Sequence, residues 1–348
     1  MTNHQMDSDQ KFRAGVIGCG LGANHAYAYA NAPEYDLIAV CDLSAEVLGN
    51  FYENSRLEPG SVKQYTDYKE MLEQENLDVV SVATPDDHHT NPVCDASDAG
   101  VKGILCEKPL CIQLEDADRI IETVERNGTK MSVDHTRSWI ASYQTVRQEI
   151  RDGEIGGLTR IIAHMCGRRA MLFRNGTHTV DAVCYFAESD PVWVIASHER
   201  GFEDYGTEYK GKGGSDPMLD PGSTIIVEFE NGVRGIINGA KNTPALYEFD
   251  LMGPSGRYIL DDKQCQKWKC DKPEGAPNPV DPPEGGGYHD YFGKDLIAPV
   301  QELAEMILND VPSSSPPRRA RNSLEIMLGA LLSHSQDNAK IAIPLPRE

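Results

Sequence analysis

Three glycines open the chemistry of this sequence. Gly18, Gly20 and Gly22 fall in Gly18-Cys19-Gly20-Leu21-Gly22-Ala23-Asn24-His25, after the apolar run Phe12 to Ile17 and before a helix-compatible stretch. Glycine permits a tight strand-to-helix turn and lets the backbone approach an anion; the helix N-terminus behind it offers N–H groups and a positive dipole end. The glycines take positions one, three and five of the turn, with Leu21 between them. Ala23 takes the sixth, where a small residue suffices for helix–strand packing. Asp42, 22 positions beyond Gly20, closes the next apolar run, Leu37 to Cys41. A carboxylate there accepts both hydroxyls of an adenosine ribose and repels a 2′-phosphate, and no arginine follows it. The pattern implies a bound dinucleotide, NAD in preference to NADP.

Two more apolar runs end in polar groups: Ser81-Val82-Ala83-Thr84-Pro85-Asp86-Asp87-His88-His89, and Gly103-Ile104-Leu105-Cys106-Glu107-Lys108-Pro109-Leu110. Open parallel sheets bind ligands at the carboxyl ends of their strands. Lys108 at such an end is either an exposed loop lysine or an ammonium held beside the cofactor to take and give a proton. His178, in Gly176-Thr177-His178-Thr179-Val180-Asp181 at a helix start, is a second proton-transfer candidate or a capping histidine. Asp181, one turn along, is its candidate orienter or a plain helix carboxylate. His135 and Arg137 lie where the alternating first region ends, as substrate contacts or hinge residues. No His, Asp and Glu cluster has metal-ligand spacing, so no metal is expected, and no nucleophile motif is present.

The elements that must position these groups follow from periodicity. Phe12 to Ile17, Leu37 to Cys41, Leu77 to Ala83, Gly103 to Cys106 and Lys130 to Val133 are short and rich in Val and Ile, as strands covered on both faces are. Helix signals separate them: Ser44, Thr66 and Thr90 as N-terminal caps, and Leu114 to Asn127 stopped by Gly128. This predicts a doubly wound parallel sheet over residues 1–134. Residues 135–348 predict an α+β domain on a mostly antiparallel open sheet. There, helices over 141–151 and 179–186 accompany a strand over 158–165. Asn231-Gly232 marks a hairpin between Ser223 to Glu230 and Val233 to Ile237, and a second turn joins Leu246 to Met252 with Arg257 to Leu260. Residues 271–287 predict a long loop, followed by helices over about 295–309 and 319–334 and a short strand at Ile341 to Pro344.

The 348 residues carry 33 basic and 54 acidic side chains, a net charge of −21. Such a surface repels phosphate backbones and anionic lipid, which argues against nucleic-acid and membrane partners. No apolar run is long enough to span a bilayer and the N-terminus lacks a signal-peptide pattern, so a cytoplasmic location is expected. Nine cysteines without paired spacing predict small buried hydrophobes rather than disulfides or zinc.

In its turn Gly18 to His25, Ala83-Thr84-Pro85 with His88, Glu107-Lys108-Pro109, the strand ending at His135 with Arg137, residues 147–156, and Gly176 to Asp181, the sequence resembles the Gfo/Idh/MocA family of glucose–fructose oxidoreductase, inositol 2-dehydrogenase and rhizopine-catabolism proteins. The resemblance implies that Gly18, Gly20 and Gly22 hold the pyrophosphate and Asp42 the adenine ribose. Thr84, Pro85 and His88 would line the nicotinamide half, and Glu107 would meet its ribose. Lys108 and His178 would face a secondary alcohol of a sugar, inositol or related polyol. It also implies a homo-oligomer, dimer or tetramer, through the second-domain sheet. Arg174, followed by Asn175, stands where members usually carry an aspartate four residues before the histidine. Arg174 is therefore a candidate for a substrate carboxylate or hydroxyl. Hydride transfer with Lys108 as proton relay is the activity implied. The alternatives are an NAD-dependent glycosidase working by transient oxidation and a non-catalytic dinucleotide sensor.

Overall fold

The computed structural model describes residues 11–210, 216–284 and 296–346, which form two compact units. One is the chain up to Asp134 with a later segment ending at Arg318; the other begins at His135 and resumes at Arg319.

The first unit holds a six-stranded sheet: β1 (Phe12–Ile17), β2 (Tyr35–Cys41), β3 (Lys63–Tyr65), β4 (Val79–Val82), β5 (Gly103–Cys106) and β6 (Lys130–Val133). Every pairing is parallel, in the order β3-β2-β1-β4-β5-β6. The chain therefore winds outward in both directions from a switch point between β1 and β4, where open sheets of this kind form a ligand crevice. β4 and β5 are buried at every position, as double coverage demands. β3, three residues and exposed or half-buried, has no apolar signature and was not expected.

The covering helices are α1 (Gly22–Asn31), α2 (Ala45–Gly49), α3 (Phe51–Ser55), α4 (Tyr68–Glu75), α5 (Thr90–Asp98) and α6 (Leu114–Asn127). Ser44 caps α2 by accepting from the N–H of Val47. The cap of α4 is Asp67 rather than Thr66, since its carboxylate accepts the Lys69 N–H at 2.8 Å. α6 turns Ile120, Ile121 and Val124 inward and ends at Gly128, whose φ of 70° is the left-handed conformation a helix stop favours.

One boundary differs from the sequence expectation, which placed all of 135–348 in the second domain. The helix Ile297–Asn309 belongs with the first unit. Its Val300, Leu303, Ala304 and Met306 share a core with Phe12, Tyr35, Val79 and Leu105. The Tyr35 hydroxyl donates to the Val300 carbonyl at 2.6 Å. A Cβ on Gly103 would lie 2.8 Å from Ile307 and 3.2 Å from Leu303, so β5 needs glycine to admit this helix. An amphipathic pattern says that a helix has a buried face; it does not say which sheet the face covers.

The second unit carries a nine-stranded sheet of β7 (Arg160–Cys166), β8 (Pro191–His198), β9 (Ser223–Phe229), β10 (Arg234–Ala240), β11 (Leu246–Gly253), β12 (Gly256–Asp261), β13 (Cys265–Cys270), β14 (Pro277–Val280) and β15 (Ile341–Ala342). The order is β14-β13-β12-β11-β7-β10-β9-β8-β15; β7 and β10 pair parallel and every other pair is antiparallel. Asn231-Gly232 turns the β9–β10 hairpin, with Gly232 at φ 84° and the Asn231 side chain accepting from the Val233 N–H. α7 (Ala141–Arg151), α8 (Gly176–Ala187) and the helix Pro317–Ser335, counted here from Arg319, complete the unit. The predicted 271–287 loop contains β14, an exposed edge strand, where prolines cost no ladder hydrogen bond. Its last residues, 285–287, and residue 295 lie outside the described residues. All nine cysteines are free, and no helix among the described residues is long and apolar enough to cross a membrane.

Candidate functional site

The turn after β1 gives its three glycines different tasks. Gly18 sits at φ 91° with its N–H donating to the Cys41 carbonyl, and a Cβ there would lie 2.5 Å from the Ala83 carbonyl oxygen. It lets the ends of β1 and β4 meet. A Cβ on Gly22 would lie 2.8 Å from Val16 and 3.2 Å from Ala83, so this glycine seats α1 on the sheet. A Cβ on Gly20 would meet nothing within 4 Å. Leu21 beside it is 48% exposed, and no side chain caps this end of α1. An open backbone face at an uncapped helix N-terminus suits a pyrophosphate. Asp42 ends β2 with one carboxylate oxygen on the Cys19 N–H, 2.8 Å, and the other on the Ser44 N–H, 2.9 Å. It ties the glycine turn to the strand end that would meet a ribose, and spare lone pairs on both oxygens remain for hydroxyls.

The β4 and β5 ends are clasped together by a histidine that sequence reasoning passed over. His89 is fully buried; Nε2 meets the Thr84 carbonyl at 2.8 Å and Nδ1 the Pro109 carbonyl at 2.9 Å. His88, the residue expected to line the site, is exposed and pairs with Asp87 at 2.6 Å. Thr84 donates its hydroxyl to the His88 carbonyl at 3.0 Å. Lys108 is half-buried.

Glu107, expected at a ribose, faces inward. One oxygen is 3.3 Å from His25 Nε2 and the other accepts the Lys108 N–H at 3.1 Å. His25 Nδ1 in turn meets the Ser81 hydroxyl at 3.1 Å, and Ser81 bonds Tyr29 at 3.0 Å. Asp134 completes the group with Oδ2 at 3.9 Å from His25 Nε2. All three side chains are buried. Burial works to raise the Glu107 carboxyl, yet the hydrogen bond and charge of His25 outweigh it and hold the group well below the usual carboxylate range. Burial, then the charge of Glu107, pushes Asp134 up to about 7. His25 is raised: burial opposes this, but the bond to Glu107 and the two carboxylate charges prevail. Sequence spacing offers no metal-ligand set of His, Asp and Glu, yet the fold brings one ligand atom from each of these three within 4.8 Å of the others. They stand on α1 and one residue beyond β5 and β6, so spacing along the chain could not reveal them. The hydrogen bond between His25 and Glu107 makes the proton the natural occupant of the gap.

In the second unit, His135 and His178 meet edge to face, ring centroids 5.9 Å apart. Asp181, which helical spacing suggests as the orienter of His178, faces Arg319 and His135. Its oxygens receive Arg319 in a fork at 2.9 and 3.0 Å, and one lies 3.3 Å from His135 Nδ1. His135 Nε2 meets the Thr177 hydroxyl at 3.0 Å. Arg319 also donates to Ser138. Arg137, a proposed substrate contact, is committed to Asp262 through two hydrogen bonds of 3.2 and 2.7 Å and lies 3.5 Å over the ring of Tyr247. The backbone N–H groups of Phe173 and Arg174 are gathered by Asp220, whose carboxyl burial raises to about 6 against those hydrogen bonds. Asn175 precedes α8 and accepts from Arg169 at 3.4 Å. Asp220, Asp262 and Arg319 arrive from distant segments and carried no signal in the sequence.

With this geometry in hand, comparison with known proteins is specific for the first unit. The model of the oxidoreductase family with an NAD-binding Rossmann fold matches residues 12–135. D-apiose dehydrogenase of Paraburkholderia graminis is 34% identical over 151 residues, 42% of this chain and 38% of that protein. Across the relatives matched first by sequence, the alignments span about two fifths of their length. Among solved structures, a putative NADPH-dependent oxidoreductase from Desulfitobacterium hafniense superposes with a TM-score of 0.79 at 16% identity, covering 96% of this chain and 98% of that one. Scyllo-inositol dehydrogenase of Lactobacillus casei, with bound NAD(H) and scyllo-inositol, gives 0.74 at 17% identity, covering 96% and 99%. At these identities the structural likeness establishes the fold.

Proposed function

We propose, on the premise that residues 12–135 belong to the Gfo/Idh/MocA oxidoreductase family, that the chain is an NAD-dependent oxidoreductase acting on a secondary alcohol of a sugar, inositol or related polyol. The observation that carries this reading is the open face at Gly20, flanked by two glycines that a side chain would jam. Gly18, Gly20 and Gly22 hold the pyrophosphate, with Leu21 at the tip of the turn. Asp42 receives the adenine ribose, and its negative charge favours NAD over NADP. Thr84, Pro85 and His88 line the nicotinamide half, and Glu107 uses the lone pairs left by His25 and Lys108 toward the ribose.

When bound, the nicotinamide accepts the carbinol hydride or returns it. The hydroxyl proton must leave in the same step, so a base within hydrogen-bond reach is required. Lys108 takes that proton from the oxygen, and its ammonium gives it back in the reduction direction. A positive nicotinamide ring bound close to Lys108 would favour the neutral amine over the ammonium. The family resemblance gives His178 the role of orienting the hydroxyl or sharing the proton, and its ring meets that of His135 edge to face. His135, Arg174 and Asn175 contribute to substrate selection, and the second-unit sheet mediates a dimer or tetramer. The relative that acts on D-apiose and the neighbour with bound scyllo-inositol support the substrate class.

The test is a screen of NAD reduction over inositols, pentoses, hexoses and glycosides, repeated with Lys108→Ala. Turnover by the natural chain, lost at least about a hundredfold in the variant while NADH affinity persists, supports the proposal. Release of alcohol from a glycoside without net NADH identifies a glycosidase instead. NADH binding with no turnover on any substrate identifies a sensor.

A further inference from the structure

The cluster beneath Lys108 has a charge problem whose solution bears on the chemistry above it. Two carboxylates, Glu107 and Asp134, share one buried imidazole, His25; Asp134 is enclosed with it, and Glu107 keeps a small exposed edge. One oxygen of Asp134 is buried with no hydrogen-bond partner among the described residues. Two bare carboxylates this close in a dry interior repel, so one of them keeps a proton. Glu107 has the shorter contact to His25 and the Lys108 N–H, and it stays ionised. Asp134 has neither and is the group that retains the proton, pushed up to about 7. The Lys108 charge acts on both carboxylates. Coulomb coupling is reciprocal, so both carboxylates act on Lys108. Within the first unit the other titratable groups around the cluster are Tyr29, reached through Ser81, Cys106 at the end of β5, on which both carboxylate charges act, and Cys111 and Asp86, which also act on Cys106. Burial raises the thiols and Tyr29, so they stay neutral near pH 7.

We propose that His25, Glu107 and Asp134 form a charge-setting cluster that governs when Lys108 gives up its proton, with Asp134 as its exchangeable member. The cluster is neutral while Asp134 is protonated, as imidazolium against one carboxylate. When Asp134 ionises the cluster gains a negative charge, which holds the lysine proton more tightly. These are positioning residues acting through Lys108, and the proposal rests on the oxidoreductase reading of that lysine.

Variants of opposite charge then move the pH profile of turnover in opposite directions. In Asp134→Asn the anion is lost, and the limb governed by Lys108 moves to lower pH by about one unit. In His25→Gln the cation is lost, and the limb moves to higher pH. A merely structural role would lower activity without these opposed shifts. Coincident profiles, or shifts in the same direction, overturn the proposal. A second measurement needs no substrate and no variant: nitrogen NMR of histidines in the natural chain. His25 is expected to hold its proton at the pH where free histidine is half neutral, about 6.5, and a ring that is mostly neutral there overturns the cluster. If no alcohol is oxidised, the functional reading fails and the NMR result still decides the cluster. A stoichiometric divalent metal found by elemental analysis of the purified protein overturns it as well.

Discussion

The three glycines of the first turn can be separated by one experiment, because each alanine meets a different neighbour. In Gly18→Ala the residue must hold φ near 91°, and its Cβ would lie 2.5 Å from the Ala83 oxygen and 2.7 Å from the Thr84 nitrogen. Left-handed strain costs about 1–2 kcal/mol, and displacing backbone adds about 1–3 kcal/mol. The expected loss of stability is therefore about 2–5 kcal/mol. In Gly20→Ala the φ lies outside that strained range and nothing is within 4 Å. Stability should hold, or rise by about 0.4–1 kcal/mol through the stiffer unfolded chain. If a pyrophosphate approaches this open face, the same methyl should weaken NADH binding at least tenfold, about 1.4 kcal/mol. Urea unfolding followed by circular dichroism gives the first quantity and isothermal titration with NADH the second. A Gly20→Ala protein that binds NADH like the natural chain would place the dinucleotide elsewhere. A Gly18→Ala protein of undiminished stability would refute the packing argument.

Other consequences are as direct. Arg137→Ala takes two charged hydrogen bonds from half-buried Asp262, leaving it the Tyr143 hydroxyl at 3.1 Å, and removes the cation from Tyr247, which should cost about 2 kcal/mol, and Arg137→Lys should restore little of it because a point charge cannot make the fork. If Arg137 instead binds substrate, the alanine variant raises KM at unchanged stability. Asp42→Ala should weaken NADH about tenfold and narrow its advantage over NADPH, read as the ratio of their dissociation constants. His198 is held neutral down to about 3, by burial first and then by the charge of His334. The unfolded chain takes up that proton as pH falls through about 6.5 and the native one does not, so stability is full above that pH and falls below it, by up to about 1.4 kcal/mol per pH unit. Urea midpoints at pH 7 and 5 should show the loss, and His198→Gln should shrink it; an equal loss in the variant contradicts the assignment.

Much of this molecule is written in short stretches of chain. The glycine turn, the Asn231-Gly232 hairpin, the Ser44 cap and the Gly128 stop were legible because each depends on backbone sterics and hydrogen bonds within a few residues. The doubly wound order followed from alternating buried runs and helices, since right-handed crossovers leave few other arrangements. Chain folding in three dimensions decided the rest. It assigned the helix Ile297–Asn309 to the first sheet, recruited a proline-rich stretch as the edge strand β14, and made His89 the clasp between strand ends. It gave Asp181 to Arg319 and His135, and gathered His25, Glu107 and Asp134 from three elements into one dry cluster. Periodicity tells a side chain which face it occupies. Its partner, and with it its charge state, depends on which other element is packed there and how much water is excluded.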